Sequence, residues 1–187
     1  MPAAPRKPPR KVSPAYLERA ALAYLERFAA SAESLRRVLL RKVEKSARAH
    51  DTDREEGAAW IEALIQRYQR SGLLDDKAYA EARTASLRRQ GRSARAISEK
   101  LKVKGVGREV IDEALAPTRT PAEELSAAAT LARRRRIGPY RPAAQRSDHR
   151  ERDLAVIGRA GFGYDIARKV ILAESTDALD ALIAEAG

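Results

Sequence analysis

The chain has 187 residues, and its 37 Lys and Arg against 26 Asp and Glu give a formal charge of +11. Charged residues make up 34% and aromatic residues only 5%, a mixture that suits small helical units with thin cores and excludes a sandwich or barrel. The absence of cysteine excludes a disulfide framework, thiol catalysis and thiolate zinc sites.

The length is enough for a sizeable core in one or two domains. Two histidines, His50 and His149, are too few for a His-rich metal cluster. No run of 18 apolar residues occurs, so nothing is expected to span a membrane, and the basic N-terminus lacks the apolar segment of a secretory signal. A cytosolic protein with a polyanionic partner is the expectation: nucleic acid, an acidic protein surface or a membrane face.

Residues 1–12, MPAAPRKPPRKV, are basic and Pro-rich with little to bury, and are expected to form a disordered arm. Such an arm either adds nonspecific phosphate affinity or is a solvated tail. Ser13-Pro14 is a helix start, with a cap residue before a proline at the first helical position. Tyr16, Leu17, Ala20, Ala21, Tyr24, Leu25 and Phe28 follow at helical spacing. Ser31 opens a second helix with Leu35, Val38 and Leu39 inward and a basic side of Arg36, Arg37, Arg41, Lys42, Lys45 and Arg48. Asp53 with Glu56 caps a third, whose stripe of Trp60, Ile61, Leu64, Ile65 and Tyr68 ends at Ser71-Gly72, with Trp60 expected in the core. Asp75-Asp76 could suggest acid–base or metal chemistry, but a helix N-terminus accounts for both carboxylates.

Ser93 caps a helix carrying Ile97 and Leu101, which Lys104-Gly105 ends, and Val110, Ile111, Ala114 and Leu115 stripe the next. Pro117 breaks the chain. Thr120-Pro121-Ala122-Glu123 is a capping box that opens a helix running to Arg133-Arg134-Arg135-Arg136. Those arginines suit the negative end of a helix dipole but exceed what it requires. Residues 138–147, GPYRPAAQRS, read as a loop or mobile linker, and Asp148 with Glu151 caps the helix after it. A short helix with Leu179, Leu182 and Ile183 closes the chain.

The stretch 101–115 recurs at 157–171. Ile157, Gly161, Phe162, Ile166, Val170 and Ile171 fall on Leu101, Gly105, Val106, Val110, Ala114 and Leu115 without a gap. A weaker copy places Ser31, Leu35, Leu39 and Lys42 on Ser93, Ile97, Leu101 and Lys104, with Val43 where the glycine should be. The spacing predicts an all-α chain of nine or ten helices in three tandem three-helix repeats, at 14–70, 73–116 and 120–173, with a short helix within 174–187.

Three motifs carry a family resemblance. Gly72-Leu73-Leu74-Asp75-Asp76 followed by Tyr79-Ala80 is the first. Arg88 to Gly91 with Ile97, Leu101 and Lys104-Gly105-Val106 is the second, and Arg159, Gly161-Phe162, Tyr164, Ile166 and Val170 form the third. In that order and spacing, over roughly 14–175, they resemble the RecX family of bacterial regulators of the RecA recombinase. Ala160 interrupts the family's usual basic pair before the glycine, and Gly163 stands where a helix should start.

The resemblance implies a non-enzymatic protein, without cofactor or metal, shaped as an elongated, curved solenoid. It implies binding to RecA and the RecA–DNA filament, in whose groove it would limit extension, ATPase, strand exchange and coprotease activity. Weak direct contact with single- or double-stranded DNA, a monomeric state and no membrane contact belong to the same expectation. Charge clustering selects as partner-binding residues Arg36, Arg37 and Arg41 in the first repeat, and Arg88, Arg89, Arg92, Arg95 and Lys104 in the second. Arg133, Arg134, Arg135 and Arg136 complete the set in the third. The rival reading is a helix-turn-helix protein acting directly on duplex DNA, built on the units around Gly105 and Gly161. An enzyme finds no cysteine, phosphate-cradling glycine loop or His/carboxylate cluster to rest on.

Overall fold

The computed structural model describes residues 10–187 and holds ten α-helices, with no strand among those residues. They are α1 (Pro14–Leu25), α2 (Ala32–His50), α3 (Arg54–Arg70), α4 (Asp76–Arg89), α5 (Ala94–Val103), α6 (Arg108–Leu115), α7 (Pro121–Arg135), α8 (Arg146–Arg159), α9 (Tyr164–Ile171) and α10 (Thr176–Glu185). The chain is thus an all-α helical repeat protein. Side-chain caps start the helices where the sequence places them. Ser13, Ser31, Asp53, Ser93 and Thr120 accept from the N–H of Tyr16, Ser34, Glu55, Ala96 and Glu123. No helix among the described residues is long and apolar enough to cross a membrane.

The chain divides into two compact units, one through Tyr79 with Lys104–Val106, the other Ala80–Val103 with Gly107–Gly187. In the first, Leu17, Leu35, Leu39, Ile61 and Ile65 are fully buried. The α2–α3 approach is close enough that a Cβ on Gly57 would meet Val43 Cγ1 at 2.6 Å. Trp60 lies half-buried against this core.

The basic arm expected over 1–12 lies outside the described residues up to residue 9, and its last residue belongs to the fold. Val12 is buried, and its N–H donates to Ser46 Oγ at 3.0 Å. Ser46 and Thr52, both buried, share a hydrogen bond of 2.7 Å, and the Val12 amide is the extra partner that satisfies them.

Two hydrogen bonds join α2 to the residues that follow α3 and α5. The Ser31 hydroxyl donates to the Lys104 carbonyl at 2.5 Å, and the Ala32 N–H donates to Asp76 Oδ1 at 2.8 Å. Asp75 alone caps α4, accepting from the N–H of Lys77 and Ala78, so the paired aspartates serve two ends of two different helices. Gly105, at φ +75°, sits so near that a Cβ there would fall 2.2 Å from Glu33 Cγ.

The second unit repeats this junction. The Ser93 hydroxyl donates to the Ala160 carbonyl at 2.8 Å, and the Ala94 N–H donates to Glu124 Oε1 at 2.9 Å. Gly161, at φ +90°, would carry a Cβ 2.7 Å from Ser93 Oγ. Leu125, Ala128, Ala132, Ile157, Val170 and Leu179 fill the core that α7, α8, α9 and α10 share.

The segment 138–147 is not the open linker its prolines and glycine suggest. It forms two 3-10 turns, Gly138–Tyr140 and Ala143–Gln145, with Gly138 and Pro139 buried. Asp153, 2% exposed, fixes it by accepting from the Gly138 N–H at 3.1 Å and from Arg141 at 3.0 and 3.2 Å. Helix α8 accordingly starts at Arg146, two residues before Asp148, which lies within its first turn. The Arg146 guanidinium sets that start by donating to the carbonyls of Arg141, Pro139 and Glu174 at 2.9, 2.8 and 2.6 Å.

Candidate partner-binding surface

Whether an arginine can meet a partner depends on what already holds it. In the first unit, Arg36 is half-buried and engaged with two carboxylates. Its Nε and Nη2 reach Glu62 Oε1 and Oε2 at 2.5 and 3.0 Å, and its Nη1 reaches Glu33 Oε2 at 2.5 Å. The hydrogen bonds that Arg36 donates to Glu62 hold the guanidinium above its usual range against the opposing effect of burial, and the Arg36 fork in turn holds both glutamates below theirs. Arg37 donates to the other Glu33 oxygen at 2.7 Å. Arg41 is exposed and pairs with no described carboxylate, and the Lys104 side chain is exposed while its carbonyl serves Ser31.

In the second unit, the α4–α5 turn and the end of α7 carry eight of the expected cations, and they divide sharply. Arg88 is not a surface residue. It is 7% exposed, pairs with Glu124 Oε1 at 2.7 Å, and donates to the carbonyl of Arg92 at 3.1 Å and to that of Thr118. A buried guanidinium engaged with three partners in this way is an internal tie, and Arg88 leaves the partner-facing set. Its neighbour Arg89 is exposed, as are Arg92 and Arg95.

Arg133, Arg134, Arg135 and Arg136 are all exposed where α7 ends, with Arg136 itself in the left-handed region at φ +53°. Their charge offsets the partial negative end of the helix. Arg134 Nη1 donates to the Gln90 carbonyl at 2.7 Å, which holds the end of α7 against the α4–α5 turn. Between them lies a concavity of about 290 Å³ lined by Gln90, Arg92, Leu131, Arg134 and Arg135. The fold therefore brings together cations from the α4–α5 turn and from α7 that the sequence separates.

Three further residues escaped sequence reading. Arg141, His149 and Arg152 line a second concavity of about 260 Å³ with Ile137, Asp153 and Val156, and Arg135 is a wall of both. The density of arginines at 146–152 was a signal available in the sequence, but it sits in and beside a segment that reads as linker and cap. No group of three or more His, Cys, Asp or Glu that could hold a metal ion occurs among the described residues.

Residues 75–115, which span α4 to α6, match the family described as "RecX, second three-helix domain". The chain is 49% identical over 166 residues to a "Regulatory protein RecX" of Myxococcus xanthus, covering 88% of this chain and 89% of that protein. It is 38% identical over 109 residues to a protein of the same name from Agrobacterium fabrum, covering 58% and 57%. A third, from Mycolicibacterium vanbaalenii, is 33% identical over 118 residues, covering 60% and 63%. No solved structure matches the chain.

Proposed function

Because this chain belongs to the RecX family of regulatory proteins, we propose that it regulates the RecA recombinase, mainly as an inhibitor. It binds in the groove of the RecA–DNA filament, limits filament extension, and so restrains ATPase, strand exchange and coprotease activity. It does this as a monomer, by binding and not by catalysis. The observation that best supports the reading is the gathering of exposed arginines free of carboxylate partners at the α4–α5 turn and the end of α7, where Arg92, Arg134 and Arg135 share one concavity.

Guanidinium forks suit both the carboxylates of an acidic protein surface and the phosphates of DNA, which a nucleoprotein filament offers side by side. The partner-facing set is Arg89, Arg92, Arg95, Arg133, Arg134, Arg135 and Arg136 in the second unit, with Arg41 and Lys104 in the first. Arg36 and Arg37, tied to Glu33 and Glu62, contribute less, since a partner must compete with their ion pairs.

The test is RecA's single-stranded-DNA-dependent ATPase titrated with this protein, alongside a shift assay with DNA alone. Inhibition well below one protein per RecA, with weak binding to free DNA, is the expected result. No effect on RecA together with tight, sequence-dependent duplex binding would replace this reading with direct helix-turn-helix recognition.

A further inference from the structure

We propose that the concavity between the end of α7 and α8 is a phosphate-binding pocket. It measures about 260 Å³, and Arg135, Arg141, His149 and Arg152 line it beside an apolar wall of Ile137 and Val156. Its charged groups have two different duties. Arg141 is bound to Asp153, and that buried carboxylate also accepts from the Gly138 N–H, so the two charges offset one another. Arg135 and Arg152 are exposed and form no ion pair or hydrogen bond with a described residue.

His149 completes the lining. Its Nδ1 lies on the buried edge of the ring with no partner, which leaves Nε2 as the nitrogen that can serve a ligand. Three arginines against one carboxylate leave the pocket at +2 with the imidazole neutral. Because α7 ends here, its last carbonyls present the negative end of the helix. An anion in the pocket is therefore held by side chains and not by backbone N–H groups.

The arrangement favours phosphate over carboxylate. Two guanidinium forks and an imidazole nitrogen, coming from α7 and from two positions on α8, offer donors from separate elements. The oxygens of a tetrahedral phosphate diverge and can meet donors from several sides, whereas a planar carboxylate is filled by one bidentate fork. Arg135 is also a wall of the neighbouring concavity that holds Arg92 and Arg134. A ligand carrying phosphates in series can thus occupy both, whether as a nucleic-acid strand or as a free polyphosphate anion. The recognised chemistry is the same for the two sources.

The experiment is calorimetric titration of the full-length protein with inorganic pyrophosphate and, separately, with an oligothymidylate, for wild type, Arg152→Gln, His149→Gln and Arg70→Gln. Arg70 is exposed in the other unit, lies outside the partner-facing set and controls for the loss of one exposed positive charge. Arg152→Gln should weaken pyrophosphate binding about tenfold, equivalent to about 1.4 kcal/mol. His149→Gln should weaken it severalfold, and Arg70→Gln should leave it unchanged. If Arg152→Gln weakens the oligothymidylate as well, and pyrophosphate displaces it, the pocket takes the phosphates of a strand. If only pyrophosphate binding falls, it takes a free phosphoanion. Wild type that does not bind pyrophosphate, an equal loss in Arg70→Gln, or citrate binding as tightly as pyrophosphate would overturn the proposal. RecA is absent throughout, so the outcome is independent of the regulatory reading above.

Discussion

Ser93 and Ala160 are joined by a hydrogen bond of 2.8 Å, in which the serine hydroxyl donates to the carbonyl that precedes Gly161. The same oxygen accepts from the Ala96 N–H at 3.1 Å, so one hydroxyl both starts α5 and holds the α8–α9 turn. Ser31 plays the same two parts, accepting from Ser34 N–H and donating to the carbonyl that precedes Gly105. In both places the helix cap is also a contact to a turn distant in the sequence.

Ser93→Ala should therefore cost more than an ordinary cap. Loss of the cap is worth about 1 kcal/mol, and the orphaned Ala160 carbonyl adds roughly 1 kcal/mol or more. A lower urea midpoint at unchanged slope is the expected signature. Gly161→Ala should destabilise as well, since φ is +90° and the new methyl would meet Ser93 Oγ at 2.7 Å. A midpoint unchanged in both variants would refute the dual role.

Arg88→Ala should be a stability mutation and not a binding mutation. It leaves Glu124 half of a broken ion pair in a site where the arginine side chain is only 6% exposed, a loss of about 3–5 kcal/mol. Thermal unfolding followed by circular dichroism measures it. Arg88→Lys should fall between, because an ammonium keeps the charge but not the fork that also reaches the Arg92 and Thr118 carbonyls. Arg88→Ala with a wild-type melting temperature would contradict the assignment.

Simultaneous Arg89→Glu, Arg92→Glu and Arg135→Glu should do the opposite. All three side chains are exposed, so helicity and midpoint should stay within about 0.5 kcal/mol per site of wild type. Affinity for the RecA–DNA filament should fall at least about tenfold, and its salt dependence should flatten as phosphate contacts are lost. Undiminished filament binding would move the contact surface elsewhere.

Acid should loosen the first unit through the Arg36 cluster. Glu33 and Glu62 both titrate below their ordinary value of 4.5, chiefly because Arg36 donates hydrogen bonds to them. A carboxyl whose folded value is depressed stabilises the fold above its unfolded value and loses that contribution as pH falls through the folded one. Stability should thus be flat in this respect above about pH 4.5 and decline below it. The decline is on the order of 1 kcal/mol, because Glu62 is nearly half exposed and water screens the pair. Arg36→Ala should shrink that acid-dependent loss in a denaturation series across pH, and an identical pH profile would remove the cluster from the account.

The helices, their caps and the glycine register were legible because each rests on contacts within about four residues along the chain. Ser13, Ser31, Asp53, Ser93 and Thr120 cap where the sequence places them, and Gly105 and Gly161 take the left-handed turns that their alignment implies. The fate of each cation was not legible in the same way. Arg88 and Arg89 are neighbours of one kind, yet they point about 100° apart around α4, as the helical period requires. Only the tertiary structure decided that Glu124 would stand before one of them and solvent before the other. The same holds for residues 138–147, whose prolines and glycine read as a linker until Asp153 binds Gly138 and Arg141. Sequence by itself determined local backbone conformation and which face of each helix is apolar, because short-range sterics and hydrogen bonds set both. Which charges are paired and which remain for a partner depends on distant carboxylates coming within about 4 Å, and packing alone controls that distance.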